Sequence, residues 1–441
     1  MSAIPSSANH ALLKRELGLP GALFMGLGAM VGTGVFVSIG VAAGVAGPSV
    51  IPAIGLAAFV ALCNALSSAQ LAASHPESGG TYEYGYKYLS PSLGFAAGWM
   101  FLCAKSASAA AAALGFGSYF VHTLGGGTSA TVIAAAAVIV VTLLVLCGIR
   151  RTSLVNTIVV SITLLSLMLF VALVAPSTIG HKENLTPASG GAGFLEACAL
   201  MFVAYTGYGR IATMGEEVKD PRRNIPRAII LVMIVTALLY GAVAFAAVGS
   251  VGASALGHAV ERHAAPLEVV LENLGHPNAA RWVGVGAMTA MLGVLLNLIL
   301  GLSRVALAMG RRRDLPNAFA HLSSKGGTPS LAVAGTGAVL FVLVLSGNVK
   351  LTWSFSAFTV LVYYALTNLA ALRLSAVDRL YPRAFAWCGL LSCVFLAFWV
   401  ETRAWLSGLG ILSLGLAWHF FRRKMLNFGR RVPRLRQPDK G

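Results

Sequence analysis

Long apolar runs alternate with short polar connections along the whole chain. A helix needs about 20 apolar residues to span the hydrocarbon of a bilayer. Runs of that order recur at about 22–46, 49–73, 93–121, 130–148, 154–175, 194–214, 227–249, 279–309, 331–347, 353–373, 383–400 and 404–421. Twelve transmembrane helices are therefore expected. The polar–apolar alternation that marks membrane-barrel strands is absent, so the pattern predicts an all-α polytopic membrane protein. Connections are longer only at 74–92, 176–193, 250–278, 310–330 and 422–441, and none can house a separate soluble domain. A single transmembrane domain over 22–421 is expected, preceded by an N-terminal segment 1–21 and followed by a basic tail 422–441. Within 250–278, Pro266 opens a stretch with Leu267, Val270, Leu271 and Leu274 at helical spacing. That spacing predicts a short amphipathic helix lying on the surface as a cap over the bundle.

Composition excludes a water-soluble fold. The chain is 57% hydrophobic and 11% charged with a mean hydropathy of +0.78, against roughly 25% charged residues in soluble domains. A net charge of +17 would suggest nucleic acid in a soluble protein, but here its placement gives topology instead. With both termini inside, 24 of the 32 Lys and Arg residues fall in inner segments. Only Lys182, Arg262, Arg281, Lys350 and Arg403 fall outside, as the positive-inside rule requires. The expected location is the cytoplasmic membrane with both termini cytoplasmic. Anionic lipid is the natural partner of the tail from Arg422 to Lys440, and no nucleic-acid partner is implied. The oligomeric state is not legible, and a monomer is compatible with the pattern. Cys63, Cys103, Cys147, Cys198, Cys388 and Cys393 lie in apolar spans without metal-site spacing. They are expected to be free, buried thiols, with no metal or cofactor bound. The first apolar run is too long for a signal peptide and is expected to be retained.

Two spans differ from the rest. The first carries Gly28-Ala29-Met30-Val31-Gly32-Thr33-Gly34, and the sixth carries Ala204-Tyr205-Thr206-Gly207-Tyr208-Gly209. Glycine costs a helix about 1 kcal/mol relative to alanine, and unwound backbone at membrane depth is tolerated only where it is buried or lines a cavity. Interrupted helices five spans apart, running in opposite directions, are the mark of an inverted repeat whose substrate site lies at the breaks. Repeat one would cover about 22–175 and repeat two about 194–373, with two additional helices at about 383–421. For Gly40-x-x-x-Gly44, close helix packing is the expected role. Half-helix ends present N–H groups at one side and carbonyls at the other, which suits a zwitterion. The N–H groups from Val31 through Gly32 and Thr33 to Gly34 would hold a carboxylate. Carbonyls near Ala29, Met30, Phe202 and Tyr205 would accept an ammonium group. Ala204 and Gly207 would leave room for a side chain beside Phe202, Tyr205 and Tyr208. The chemistry expected is that of an α-amino acid carrier.

The sequence resembles the amino acid, polyamine and organocation permeases. Gly28 through Phe36 looks like that family's first-helix motif. Pro76-Glu77-Ser78-Gly79-Gly80-Thr81-Tyr82 resembles the loop after its second helix, with Gly98-Trp99 just beyond. Phe202-Val203-Ala204-Tyr205-Thr206-Gly207-Tyr208, followed by Glu216 through Arg227, is similar to its sixth helix and the inner loop behind it. Ser303-Arg304 and Asp314-Leu315-Pro316 match the end of its helix eight. The resemblance covers about residues 15–373 and implies a five-plus-five inverted-repeat (LeuT-like) fold with discontinuous helices one and six. It also implies alternating access, and amino-acid transport by proton coupling or by exchange rather than an enzymatic reaction. A coupling lysine on helix five is implied as well, and this sequence has Thr163 at that position.

Charged residues at membrane depth cost about 2.5–3.5 kcal/mol on insertion scales, so each asks for a role. Lys105 lies about a dozen residues into the third span. Facing the cavity, it would couple transport to protons by gaining and losing one; otherwise it belongs to an ion pair or a wet vestibule, or meets an acidic substrate. Glu196, near the start of the sixth span, is either a vestibule charge, a second proton site or compensation of the helix dipole. Arg210, Glu216 and Glu217 would form an inner gate of ion pairs or a solvated inner face. Leu298-Ile299-Leu300-Gly301-Leu302 supplies no hydroxyl ligands for sodium. No acidic side chain occupies the cores of spans one, three or eight, which favours a neutral substrate, with exchange or polyamine and cationic amino-acid transport as the alternative. A channel fits two dissimilar breaks poorly, and no catalytic pair of side chains appears within the spans.

Overall fold

The structure, a computed structural model, describes residues 18–75, 79–125, 127–148, 153–186, 191–212, 218–262, 265–322 and 329–431. Among them there is no β-strand. In chain order the helices are α1 (Leu19–Met30), α2 (Ile39–Ala46), α3 (Val50–Ser74), α4 (Thr81–Tyr84), α5 (Pro91–Leu124), α6 (Ala130–Leu146), α7 (Ser153–Val174), α8 (Gly191–Tyr205) and α9 (Gly209–Ala212). They continue as α10 (Pro221–Val251), α11 (Ala253–Arg262), α12 (Pro266–Asn273), α13 (Pro277–Arg311), α14 (Ser330–Val344), α15 (Val349–Leu372), α16 (Arg383–Ala397) and α17 (Thr402–Arg431).

Each expected span overlaps helix among the described residues. Seven helical stretches among the described residues are long and apolar enough to cross a membrane, and α1, α6, α14 and α16 are shorter apolar helices. The protein is thus a polytopic helical membrane protein. Seven long stretches against twelve expected spans has a physical reason: the stretch Gly34–Ser74 takes in two apolar runs, while the sixth run is split into α8 and α9. The surface helix expected from Pro266 onward is α12. The connection before it also holds α11, which the sequence did not suggest, and α17 runs on into what was expected to be tail.

Local sequence explains the ends that matter. Pro91 opens α5, whose Ser90 side chain accepts from the Leu93 N–H at 3.3 Å, and Gly125 closes it in the left-handed conformation (φ 69°). Asn348 caps α15 by accepting from the Leu351 N–H at 2.9 Å. Between these ends α5 carries an alanine-rich stretch, Ala104 to Ala113, that is buried throughout. Small residues let helices approach closely where lipid offers no hydrophobic drive. Accordingly α5 is the central helix, packed against α15 on one side and α13 on the other. A second group of α1, α2, α3, α8 and α10 packs together, and α15 also contacts α3 and α8.

All six cysteines are free. Their uniform burial is corrected: Cys147 lies one residue beyond α6 and is exposed, and Cys103 and Cys388 are half-buried, whereas Cys63, Cys198 and Cys393 are buried. Gly40 and Gly44 do serve close packing. A Cβ on Gly44 would lie 3.0 Å from the Gly257 Cα, so α11 rests directly on α2.

Candidate functional site

The first break is an interruption of the backbone ladder. The Val31 N–H still donates to Leu27 O at 2.8 Å, but Val31 itself is extended (φ −81°, ψ 102°). Bonding resumes where Val35 and Phe36 N–H donate to Gly32 O at 3.1 and 3.2 Å, opening a π-helical turn over Gly34–Ser38 that leads into α2. The N–H groups of Gly32, Thr33 and Gly34 fall between and are left out of the ladder. Thr33 Oγ1 is buried with no hydrogen-bond partner. The second break is tighter than expected. Rather than unwinding, the chain narrows after Tyr205 into a 3₁₀ turn, Thr206–Tyr208, before α9 begins at Gly209. A 3₁₀ turn keeps hydrogen bonds while changing the helix radius, and contact between the two breaks accounts for it.

Glycine permits that contact. A Cβ on Gly207 would lie 2.5 Å from Ala29 O, and one on Gly34 would lie 2.6 Å from the Ala204 Cβ and 3.0 Å from the Tyr240 hydroxyl. The structure therefore brings together Ala29, Met30, Gly34, Ala204 and Gly207 directly. Val31, Gly32 and Thr33 lie on the connecting backbone, and Thr206 in the facing turn. Met30, Val31, Thr33, Phe202, Ala204, Tyr205 and Thr206 are buried.

Three side chains that sequence reasoning missed, or placed without partners, fasten the breaks. The Tyr240 hydroxyl of α10 lies 2.7 Å from Met30 O and 3.3 Å from Ala204 O, so one donor serves carbonyls of both breaks. The Tyr364 hydroxyl of α15 donates to Thr206 O at 3.3 Å. Lys105 Nζ, on α5, donates to Thr206 Oγ1 at 2.9 Å, and Thr206 Oγ1 in turn donates to Val203 O at 2.8 Å. Lys105 is 9% exposed, and no described carboxylate lies within ion-pair distance of it. Tyr240 and Tyr364 stand in apolar helical runs with nothing local to distinguish them. Their position opposite the breaks is a tertiary fact.

Thr163 on α7 gives its hydroxyl to Val159 O at 2.8 Å within its own helix. Glu196 is half-buried on α8, within electrostatic reach of Lys350 and Glu401. Arg210 is half-buried on α9, whereas Glu216 and Glu217 lie outside the described residues. Arg304 is exposed. A further ion pair lies where α4 meets the C-terminal end of α13: Arg312 pairs with Glu83, its Nε 3.3 Å from Oε1, and lies 4.6 Å over the Tyr86 ring. Beside it the buried Asp314 carboxylate accepts from the Tyr82 and Tyr86 hydroxyls at 2.7 and 2.6 Å and faces His419 Nδ1 at 3.2 Å. Tyr82 and Asp314 both belong to motifs visible in the sequence; their pairing is not.

These features define a helical membrane protein assembled around two interlocked helix breaks lined by backbone polar groups. The amino acid permease family model matches residues 21–422. The chain belongs to that family, within the amino acid, polyamine and organocation superfamily. It is 38% identical over 431 residues to an uncharacterized transporter of Mycobacterium tuberculosis, covering 97% of this chain and 94% of that one. It is 28% identical to the branched-chain amino acid permease BcaP of Bacillus subtilis, with 92% and 91% covered. To the human cationic amino acid transporter 4 it is also 28% identical, over 85% of this chain and 62% of the relative.

Proposed function

We propose that this protein is a secondary transporter that carries neutral L-α-amino acids across the cytoplasmic membrane by alternating access, with both termini cytoplasmic. Twelve spans would form two inverted repeats, α1–α7 within 22–175 and α8–α15 within 194–373, with α16 and α17 added outside. Three packing relations support the repeat: α2 lies against α8, α3 against α10, and α5 against α13. Each couples one span with the span five places later.

The observation that carries the substrate reading is the pairing of donors and acceptors at the breaks. N–H groups of Gly32, Thr33 and Gly34, at the positive end of the turn entering α2, suit a carboxylate. Carbonyls of Met30 and Ala204 suit an ammonium group that displaces the Tyr240 hydroxyl from them. Neither pole needs a charged side chain, so recognition belongs to the head group. Lys105 beside the second break disfavours cationic side chains, and a branched-chain permease among the relatives agrees with neutral cargo. As a buried amine with no described carboxylate beside it, Lys105 is the proton-coupling residue in this reading, in place of one on α7.

The test is uptake by purified protein in proteoliposomes across a full L-amino-acid panel, with and without an inward proton gradient. Saturable uptake of leucine, isoleucine or valine, driven by the gradient and competed by neutral amino acids, is expected. Absence of transport and of exchange for every amino acid would refute the reading. Exchange without gradient-driven accumulation would make the protein an antiporter.

A further inference from the structure

At the end of the bundle opposite the Arg312–Glu83 pair, a cleft of ≈ 530 Å³ opens between α2, α5, α11 and the start of α15. His122, near the end of α5, lines it. From the cleft His122 reaches inward: its Nδ1 lies 2.5 Å from Glu268 Oε2, and its Nε2 lies 3.5 Å from Glu272 Oε2. Glu268 belongs to α12, the amphipathic cap, yet it is 1% exposed. Its second oxygen lies 2.5 Å from Thr123 Oγ1. Gly284 of α13 backs the carboxylate so closely that any side chain there would collide with Glu268 and Thr123.

A purely structural cap has no need of a buried carboxylate, because a neutral residue avoids the cost of desolvating it. The placement of the pair suggests what it does. α12 packs on the π-helical turn Gly34–Ser38, and Pro266 at its start would lie 3.2 Å from a Cβ on Gly40 of α2. One turn before His122, the Tyr119 hydroxyl donates to Phe36 O in the same π-helical turn at 2.9 Å. The imidazole and its carboxylate thus tie the cap to α5 beside the segment that joins the first break to α2.

We propose that His122 and Glu268 form a proton-binding site on the cleft side of the transporter, and that its occupancy clasps α12 against α2 and the first break. This rests on the transport reading given above. With a proton on His122, an imidazolium faces a carboxylate and the clasp is held by a charge-assisted bond. As pH rises through the titration of His122, that attraction is lost and the clasp loosens. Among the described residues, the titratable and charged groups around the pair include Tyr119 on α5 and Glu272 on α12, with Glu261 and Arg262 of α11 and Lys350 of α15 lining the same cleft, while Gly284 of α13 lies against the carboxylate.

The test is leucine exchange in proteoliposomes with the same pH on both sides, so that no gradient contributes, with each protein also made on the Lys105→Ala background, where exchange is expected to remain measurable and Lys105 no longer titrates. For the wild type, KM is expected to be about fivefold or more lower at pH 6 than at pH 8.5, the lower range of coupling between linked sites. His122→Gln should be flat at the high-pH value and His122→Lys flat at the low one, because lysine keeps its charge across the range. Opposite plateaus separate a charge effect from damage to packing, which would shift both variants the same way. A flat wild type, variants that retain its slope, or two variants on the same plateau would each overturn the proposal. No leucine exchange at any pH would instead overturn the transport reading beneath it.

Discussion

Replacing Gly207 by alanine tests whether the two breaks work as one unit. The added methyl would lie 2.5 Å from Ala29 O and 2.6 Å from the Ala29 carbonyl carbon, so backbone rather than a flexible side chain must give way. Ordinary contact would require the breaks to separate by about 1 Å; overpacking of this kind costs roughly 1–3 kcal/mol. At about 1.4 kcal/mol per factor of ten, leucine KM should rise roughly 5- to 150-fold if the separated geometry is the one that must be repaired on binding. Gly301→Ala is the control. It lies inside α13, and a Cβ added there would meet nothing within 4 Å, so its helix should gain up to about 1 kcal/mol and transport should be unchanged. Both variants are compared with wild type by initial-rate uptake at matched protein density, with detergent melting curves to exclude unfolding. A wild-type KM in Gly207→Ala, or equal impairment of Gly301→Ala, would refute the claim that contact between the breaks matters.

Three further outcomes follow from the same geometry. Lys105→Ala should abolish pH-gradient-driven accumulation while leaving leucine exchange measurable; unchanged accumulation would move coupling to another group. Tyr240→Phe removes the donor to Met30 O and Ala204 O, worth about 0.5–1.5 kcal/mol per hydrogen bond; leucine affinity, measured by equilibrium binding, should change by roughly tenfold or less. Asp314→Asn leaves the Tyr82 and Tyr86 hydroxyls with a weaker, neutral acceptor, and thermal unfolding should report a loss of about 1–3 kcal/mol.

The apolar helices were legible because lipid imposes length and apolarity on a crossing helix, and the breaks because glycine is costly where a helix should be continuous. The 3₁₀ form of the second break was not legible. It depends on Gly207 meeting Ala29, which no local pattern encodes. The Glu83–Arg312 pair was not legible for a related reason: its members lie 229 positions apart, and charge at two loop ends gives no indication of which loops meet. Glu268 was concealed most completely. The spacing of Leu267, Val270, Leu271 and Leu274 identified a helix with one apolar face, and on such a helix a glutamate reads as solvated. The arrival of His122 and Thr123 from α5, with Gly284 of α13 behind the carboxylate, makes it a buried group.

Tyrosine at the breaks resolves a tension in building a site from backbone alone. Carbonyls freed by a helix break are costly in a dry interior unless a donor reaches them, yet a donor that satisfied them permanently would exclude the substrate. The single Tyr240 hydroxyl is shared between Met30 O and Ala204 O, at 2.7 and 3.3 Å, and each carbonyl oxygen has a second lone pair beyond the one it turns to the hydroxyl. In the proposed function, an ammonium group arriving there exchanges a neutral hydrogen bond for charge-assisted ones, which are roughly twice as strong. The phenol ring stays in place beside Tyr205, at 5.2 Å between centroids, and only its hydroxyl hydrogen has to turn away. In that reading head-group binding leaves intact the packing of α2 on α8 and the contact between the two breaks.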